Sequence, residues 1–150
     1  MRTIFLLTSL IIFFLDRVTK FLALKELNHP VEVIPGFFSL RLAENRGAAF
    51  SIFSTGSEPV RKFFLIVVPL LICIYILYYV LKNRLSPRIS ISLGLIFGGA
   101  LGNLYDRVFS GKVLDFLDFY IGNYHYPTFN VADVAVFLGT VALILSWRKS

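Results

Sequence analysis

Residues 63–81 read FFLIVVPLLICIYILYYVL, a run with no charge and a single proline. A helix rises about 1.5 Å per residue and the hydrocarbon of a bilayer is about 30 Å thick, so roughly 20 apolar residues cross it. A chain of 150 residues is one domain's worth, and a soluble domain of that size has no interior deep enough to hide such a helix on every side. Lipid is the environment that suits it. Working outward, the run is followed by Lys82, Arg84 and Arg88 with no acid among them, and then by a second apolar stretch, Ile89 to Tyr105. A further stretch precedes it, Ile4 to Leu24, and a last one follows, Phe129 to Trp147. The expected fold is an all-α membrane protein in a single domain, 1–150, with four transmembrane helices at about 4–24, 63–81, 89–105 and 129–147. Polar loops 25–62 and 106–128 lie on one side.

Composition agrees. The chain is 57% hydrophobic, with sixteen Phe and seven Tyr, and its mean hydropathy is +0.75. In water it would expose apolar patches far larger than soluble monomers carry. The net charge of +6 is not a nucleic-acid footprint. Arg2, Lys82, Arg84, Arg88, Arg148 and Lys149 flank the apolar runs on one side, where no acid stands, while the remaining basic residues and all the acidic ones share the other. Basic residues gather on the cytoplasmic side of membrane proteins, so both termini and the loop 82–88 are expected there. Arg61 and Lys62 run against that rule. Residues 1–15 also have the makings of a signal peptide, but no small-x-small cleavage site follows, and an uncleaved span is the expectation. One cysteine, Cys73, and two distant histidines, His29 and His125, give no metal-ligand spacing, so no metal or cofactor is expected.

The outer loops contain strand signals. Val31, Val33 and Phe37 to Ala43 alternate about a Pro35-Gly36 turn, and Lys112 to Phe119 alternates again. They predict a small β-rich extracytoplasmic platform, in which loop 25–62, with Phe37, Phe38 and Phe50, lies over the site. In the third span Gly94, Gly98 and Gly102 stand four apart, a stripe for close helix packing.

Charges inside spans cost at least about 2.5–3.5 kcal/mol at mid-helix and mark function or pairing. Asp16 and Lys20 share a helix face; an ion pair locking helices together and a catalytic role both fit. Arg17 is expected to point elsewhere, outward to the headgroups. Asp133 is about one turn into the last span, where a helix N-terminal carboxylate and an active-site acid are both sensible readings. Asp115 and Asp118 sit on opposite faces of one strand and compete on spacing. Asp106-Arg107 reads as an interfacial ion pair or a substrate-positioning pair. Asn45 to Phe50 reads as a turn. Asp16, Asn45, Asn103, Asp106, Asp115, Asn130 and Asp133 all fall at one level, near the outer surface.

Five segments together resemble a known family: Asp16-Arg17-Val18-Thr19-Lys20, Asn45-Arg46-Gly47-Ala48-Ala49-Phe50, Gly98-Gly99-Ala100-Leu101-Gly102-Asn103-Leu104-Tyr105-Asp106-Arg107, Val113-Leu114-Asp115-Phe116 and Phe129-Asn130-Val131-Ala132-Asp133. In order and over the whole chain they are similar to the motifs of the lipoprotein signal peptidases, or signal peptidase II. The resemblance implies an intramembrane aspartic endopeptidase of the bacterial cytoplasmic (inner) membrane, inhibited by the cyclic peptide globomycin. Such an enzyme cuts signal peptides from prolipoproteins just before a diacylglyceryl-modified cysteine, near the extracytoplasmic face. It implies Asp115 and Asp133 as the catalytic pair, although Asp118-Phe119 repeats the Asp-Phe motif; distance along the chain from Asp106 favours Asp115. Asp16, Lys20, Asn45, Gly47, Asn103, Asp106, Arg107, Asn130 and Ala132 match positions that bind substrate or support the site. The expected partners are the lipidated prolipoprotein and membrane lipid, not nucleic acid, and the working unit is expected to be a monomer. A transporter would need polar groups reaching both faces, and the inner halves of the spans carry little beyond Ser90, Ser92, Thr140 and Ser146. A scaffold would leave the polar motifs of the outer loops unexplained.

Overall fold

A computed structural model describes residues 2–45 and 58–148. Four helices form in the expected order: α1 (Arg2–Glu26), α2 (Glu58–Lys82), α3 (Pro87–Ser110) and α4 (Val131–Arg148). Between them stand four strands, β1 (Val31–Ile34), β2 (Phe38–Asn45), β3 (Val113–Ile121) and β4 (Tyr124–His125). They make one antiparallel sheet in the order β1-β2-β3-β4. The architecture is thus mostly helical with a small sheet. Two helices, α2 and α3, are by themselves long and apolar enough to cross a bilayer, and α4 is a shorter apolar helix.

The helices overrun the apolar stretches that announce them. α2 begins at Glu58 rather than Phe63, so Arg61 and Lys62 belong to a helix and not to a loop. α3 runs on through Asp106 and Arg107 to Ser110. Its ends have local causes. The Ser86 hydroxyl accepts from the Ile89 N–H at 3.3 Å ahead of Pro87, a cap with proline in the first turn. Gly111 closes the helix at φ 79°, donating back to the Asp106 and Arg107 carbonyls, the left-handed conformation that favours glycine.

α3 is the centre of the bundle, with α4 on one flank and α1 on another. The glycine stripe explains the second contact. A Cβ on Gly98 would stand 2.7 Å from the Ser9 carbonyl oxygen, and one on Gly94 would stand 2.7 Å from Thr8 Cβ. Gly99, outside the stripe, does the same for α4: its Cβ would meet the Ala132 carbonyl oxygen at 2.6 Å. At the end away from the sheet the bundle is filled by Phe5, Ile76, Val80, Ile89 and Leu93. There Arg2 donates to the Leu81 carbonyl at 2.7 Å, and the Tyr79 and Trp147 rings lie 6.1 Å apart. The outward faces of α1, α2 and α4 are leucine, isoleucine, valine and phenylalanine.

The sheet is tied to the bundle through β3. Its Phe116 and Leu117 N–H groups both donate to the Phe129 carbonyl, and Phe129 N–H returns a bond to Leu117. Phe38 stacks on Phe119 at 4.5 Å, and Phe119 on Phe129 at 5.8 Å. Phe37 stands edge-on to Phe119, so two of the three phenylalanines expected in the platform join this aromatic ladder; Phe50 lies outside the described residues.

Candidate active site

The turn into α4 sets the site. Asn130 precedes the helix, and its Oδ1 accepts from the Asp133 N–H at 2.9 Å while Asp133 Oδ2 accepts from the Asn130 N–H at 3.2 Å. This reciprocal pair is a capping box built from Asn and Asp. The helix-terminal role of Asp133 is therefore real, and it leaves the other oxygen available. Asp133 Oδ1 accepts from Asn103 Nδ2 at 2.8 Å, reaching across to α3.

Asp115 comes to the same place from the sheet. It is fully buried. Its Oδ1 accepts from Asn130 Nδ2 at 3.0 Å, and its Oδ2 from the Thr128 hydroxyl at 3.3 Å. One residue, Asn130, thus bonds both carboxylates, Asp115 through its amide and Asp133 through its backbone. Asn130 Nδ2 also approaches the Leu114 carbonyl at 3.1 Å and Asn103 Oδ1 at 3.2 Å. Arg107, buried, lies in the field of Asp133, Asp115 and Asp106.

A second cluster adjoins this one. Lys20 Nζ lies 2.7 Å from Asp16 Oδ1 and 2.7 Å from Asp106 Oδ2, and it donates to Asn103 Oδ1 at 3.0 Å. Arg17 closes the square, 2.8 Å from Asp106 Oδ1 and 3.3 Å from Asp16 Oδ2, with its guanidinium 4.4 Å from the centre of the Tyr105 ring. Two acids and two bases balance. Asp16 and Lys20 are essentially without exposure, at 0% and 1%. Gly102 makes room, since a Cβ there would stand 2.5 Å from Asp16 Oδ2. Unpaired, charges this deep would cost several kcal/mol each; mutually satisfied, they lock α1 to α3.

Asp118 belongs to different surroundings. The Ser39 hydroxyl donates to its Oδ2 at 3.0 Å, Arg41 Nε does so at 3.4 Å, and His125 Nδ1 lies 2.9 Å from Oδ1. Burial pushes its carboxyl up, but the bonds from His125, Ser39 and Arg41 and the Arg41 charge outweigh burial and hold it below the ordinary range. On the other face of β3 it fastens three strands. Among the described residues no group of three His, Cys, Asp or Glu side chains is arranged to hold a metal ion.

Several expectations about single residues change. Arg17 does not reach for the headgroups; the two carboxylates beside it, one of them on α3, outbid outward snorkelling. Asp106 makes its ion pairs with Lys20 and Arg17 of α1 rather than with its chain neighbour Arg107. Ala132, expected to bind substrate or support the site, is fully buried with its carbonyl against Gly99. Asn45 ends β2, its backbone opposite Val113; Gly47 lies outside the described residues. Thr128 had no sequence signal as a partner of Asp115, because a hydroxyl in Tyr126-Pro127-Thr128 is an ordinary loop residue until the chain folds back.

A model of the family described as signal peptidase (SPase) II matches residues 8–148. The chain belongs to the signal peptidase II family. It is accordingly a protease, and a membrane enzyme. The lipoprotein signal peptidase of Sulfurihydrogenibium sp. (strain YO3AOP1) is 44% identical over 151 residues, 97% of this chain and 93% of its own. That of Clostridium novyi (strain NT) is 48% identical over 135 residues, 87% and 88% of the two chains. Among solved structures, one described as a bacterial membrane enzyme obtained by the in meso method at 2.3 Å is 31% identical, with a TM-score of 0.83 over 97% of this chain and 87% of that one. A second, described in the same words at 1.9 Å, has a TM-score of 0.81 at 31% identity and covers 97% and 93%. Signal peptidase II membership agrees with the outward apolar faces of the helices, and it makes the polar end of the bundle the place to look for the chemistry.

Proposed function

We propose that this peptidase removes signal peptides from diacylglyceryl-modified prolipoproteins, cutting before the lipidated cysteine, with Asp115 and Asp133 activating the attacking water. Family membership supports the substrate class. The observation that carries the catalytic assignment is the Asn130 bridge, which holds two buried carboxylates from separate stretches of chain to one residue at 3.0 Å and 3.2 Å.

Two carboxylates held together do not both ionise cheaply, so the pair keeps one proton and titrates as a unit. The surrounding charges support this. Arg17, Lys20 and Arg107 face Asp16, Asp106, Asp115 and Asp133; three cations against four carboxyls are neutral when one carboxyl is protonated. The ionised member takes a proton from the water as it attacks the scissile carbonyl, and the protonated member donates to the developing oxyanion. The proton gained by the first then goes to the leaving amine. No metal or organic cofactor enters these steps. Asn103 and Asn130 orient the carboxylates, and Arg107 supplies positive charge beside them. Asp16, Lys20 and Asp106 act at one remove, as the brace behind Asn103, and Asn45 and Gly47 serve substrate binding or support of the site.

The chain crosses the bacterial cytoplasmic membrane four times and works as a monomer. The sheet is outside as a platform, and both termini are inside. The alternating run of the helices, their apolar flanks and the basic residues of the far end support this. Transport is disfavoured because the polar network is confined to the sheet end, while the other is packed with Phe5, Ile76, Val80, Ile89 and Leu93. The test is cleavage of a lipidated precursor by purified protein in vesicles. Asp115→Asn and Asp133→Asn should each lower the rate by roughly 10³-fold or more while the protein still inserts. Wild-type turnover by either variant would end the assignment.

A further inference from the structure

At the end of the bundle opposite the sheet, a cavity of roughly 480 Å³ is lined by Arg2, Thr3, Val80, Asn83, Arg84 and Leu85. It opens between the start of α1 and the turn from α2 to α3. Its lining is one-sided in charge: two arginines, a threonine and an asparagine among apolar residues, with no acid. One N–H group of Arg2 is committed to the Leu81 carbonyl, which fixes the guanidinium at the rim and leaves its other donors unassigned by that bond. Asn83 Nδ2 is held by the Tyr79 carbonyl at 3.0 Å, so the turn itself is firm.

Two guanidiniums at a firm rim suit a phosphate, whose oxygens accept several charge-assisted bonds at once. Val80 and Leu85 complete the lining, and the helix faces that lead away from it are apolar. Leu6 and Leu10 are exposed one and two turns along α1 from Thr3, and Leu77 is exposed one turn along α2 from Leu81. α1 and α2 touch each other little compared with the contacts either makes with α3. A cavity lined by arginines beside exposed apolar helix faces fits a molecule with a phosphate head and fatty tails.

We infer that this cavity binds the phosphate of an anionic phospholipid of the cytoplasmic leaflet, with its acyl chains lying along α1 and α2. The inference rests on the four-crossing arrangement proposed above and not on the catalytic assignment. Basic recesses between helices on the cytoplasmic side are the usual form of such sites.

The experiment uses the full chain purified from mixed micelles of phosphatidylcholine and phosphatidylglycerol, counting retained lipid by native mass spectrometry. The wild type should keep phosphatidylglycerol in preference, by about tenfold or more. Arg2→Gln with Arg84→Gln should abolish the preference. Lys82→Gln with Arg88→Gln removes the same amount of charge from the same end of the bundle but not from the cavity lining, and should preserve it. Because Arg2 also braces α2, Arg84→Gln alone carries the test if the double variant fails to insert. Equal loss in both pairs of variants would reduce the effect to general surface charge and overturn the site, as would an unchanged preference in the Arg84 variant. Thermal stabilisation by inorganic phosphate as large as that by phosphatidylglycerol would make the ligand a free ion and defeat the lipid assignment. Asp133→Asn should retain the lipid in full, so a failed protease assay and a failed lipid assay are distinguishable.

Discussion

Asn130 meets three acceptors with the two hydrogens of its amide while its oxygen caps α4, so one side chain serves both fold and site. The two duties can be separated. Asn130→Asp keeps an oxygen for the Asp133 N–H but removes the donors to Asp115. It should leave α4 folded, by circular dichroism, and lower cleavage by about 10²-fold. Asn130→Ala removes the cap as well and should in addition cost about 1 kcal/mol of stability. Asp118 offers a pH test. Its carboxyl is held below the ordinary value of 3.8, so the stability it adds is complete above that value and is lost as pH falls through the lowered one. The melting temperature of the wild type should therefore exceed that of Asp118→Asn at neutral pH, and the gap should close in acid; a gap that widens below pH 3.8 would contradict the sign. At this scale the sequence was legible where a polar residue stood in an apolar run. Asp16, Lys20 and Asp133 were each conspicuous. The pairing of Asp16 with Lys20, one turn apart, was readable too, but their distant partners were not, since Lys20 and Asn103 lie 83 positions apart and nothing local records the pairing.

The elements were legible to the extent that each has a period. The stripe of Gly94, Gly98 and Gly102 named one face of α3 because a helix meeting a single neighbour repeats about every four residues. Gly99 escaped that pattern because α3 has a second neighbour at a different angle. Its substitution is correspondingly informative: Gly99→Ala drives a Cβ to within 2.6 Å of the Ala132 carbonyl, a backbone atom that moves only if α4 moves. It should cost about 1–3 kcal/mol in unfolding and lower activity together with stability, because Asp133 rides on the displaced turn. β3 was visible by alternation, whereas β4, two residues long, falls below any period and exists by pairing with Tyr120 and Ile121. α3 runs on past the expected apolar span for an electrostatic reason. Asp106 and Arg107 look like the end of a span until Lys20 and Arg17 arrive to neutralise the acid within it.

Over the whole molecule the division is between a polar end, where α1, α3, β3 and the start of α4 exchange charges, and an apolar end closed by aliphatic packing. The number of helices and their order were legible from the apolar runs; which helix occupies the middle was not, since that depends on glycines facing two ways. Helix length carries a further consequence. α1 and α2 have 25 residues each and α4 has 18, a shortfall of about 10 Å in rise. At the apolar end the helices finish level, with Arg2 on Leu81 and Trp147 beside Tyr79. The shortfall therefore falls at the other end, where residues 113–130 fold down over the missing turns. α4 thus begins about 10 Å short of the level that α1 and α2 reach, and residues 113–130 stand where its missing turns would be. On the reading proposed above, a substrate held by fatty acyl groups meets Asp133 about two helical turns below the ends of α1 and α2, and need not be hauled up to the aqueous surface.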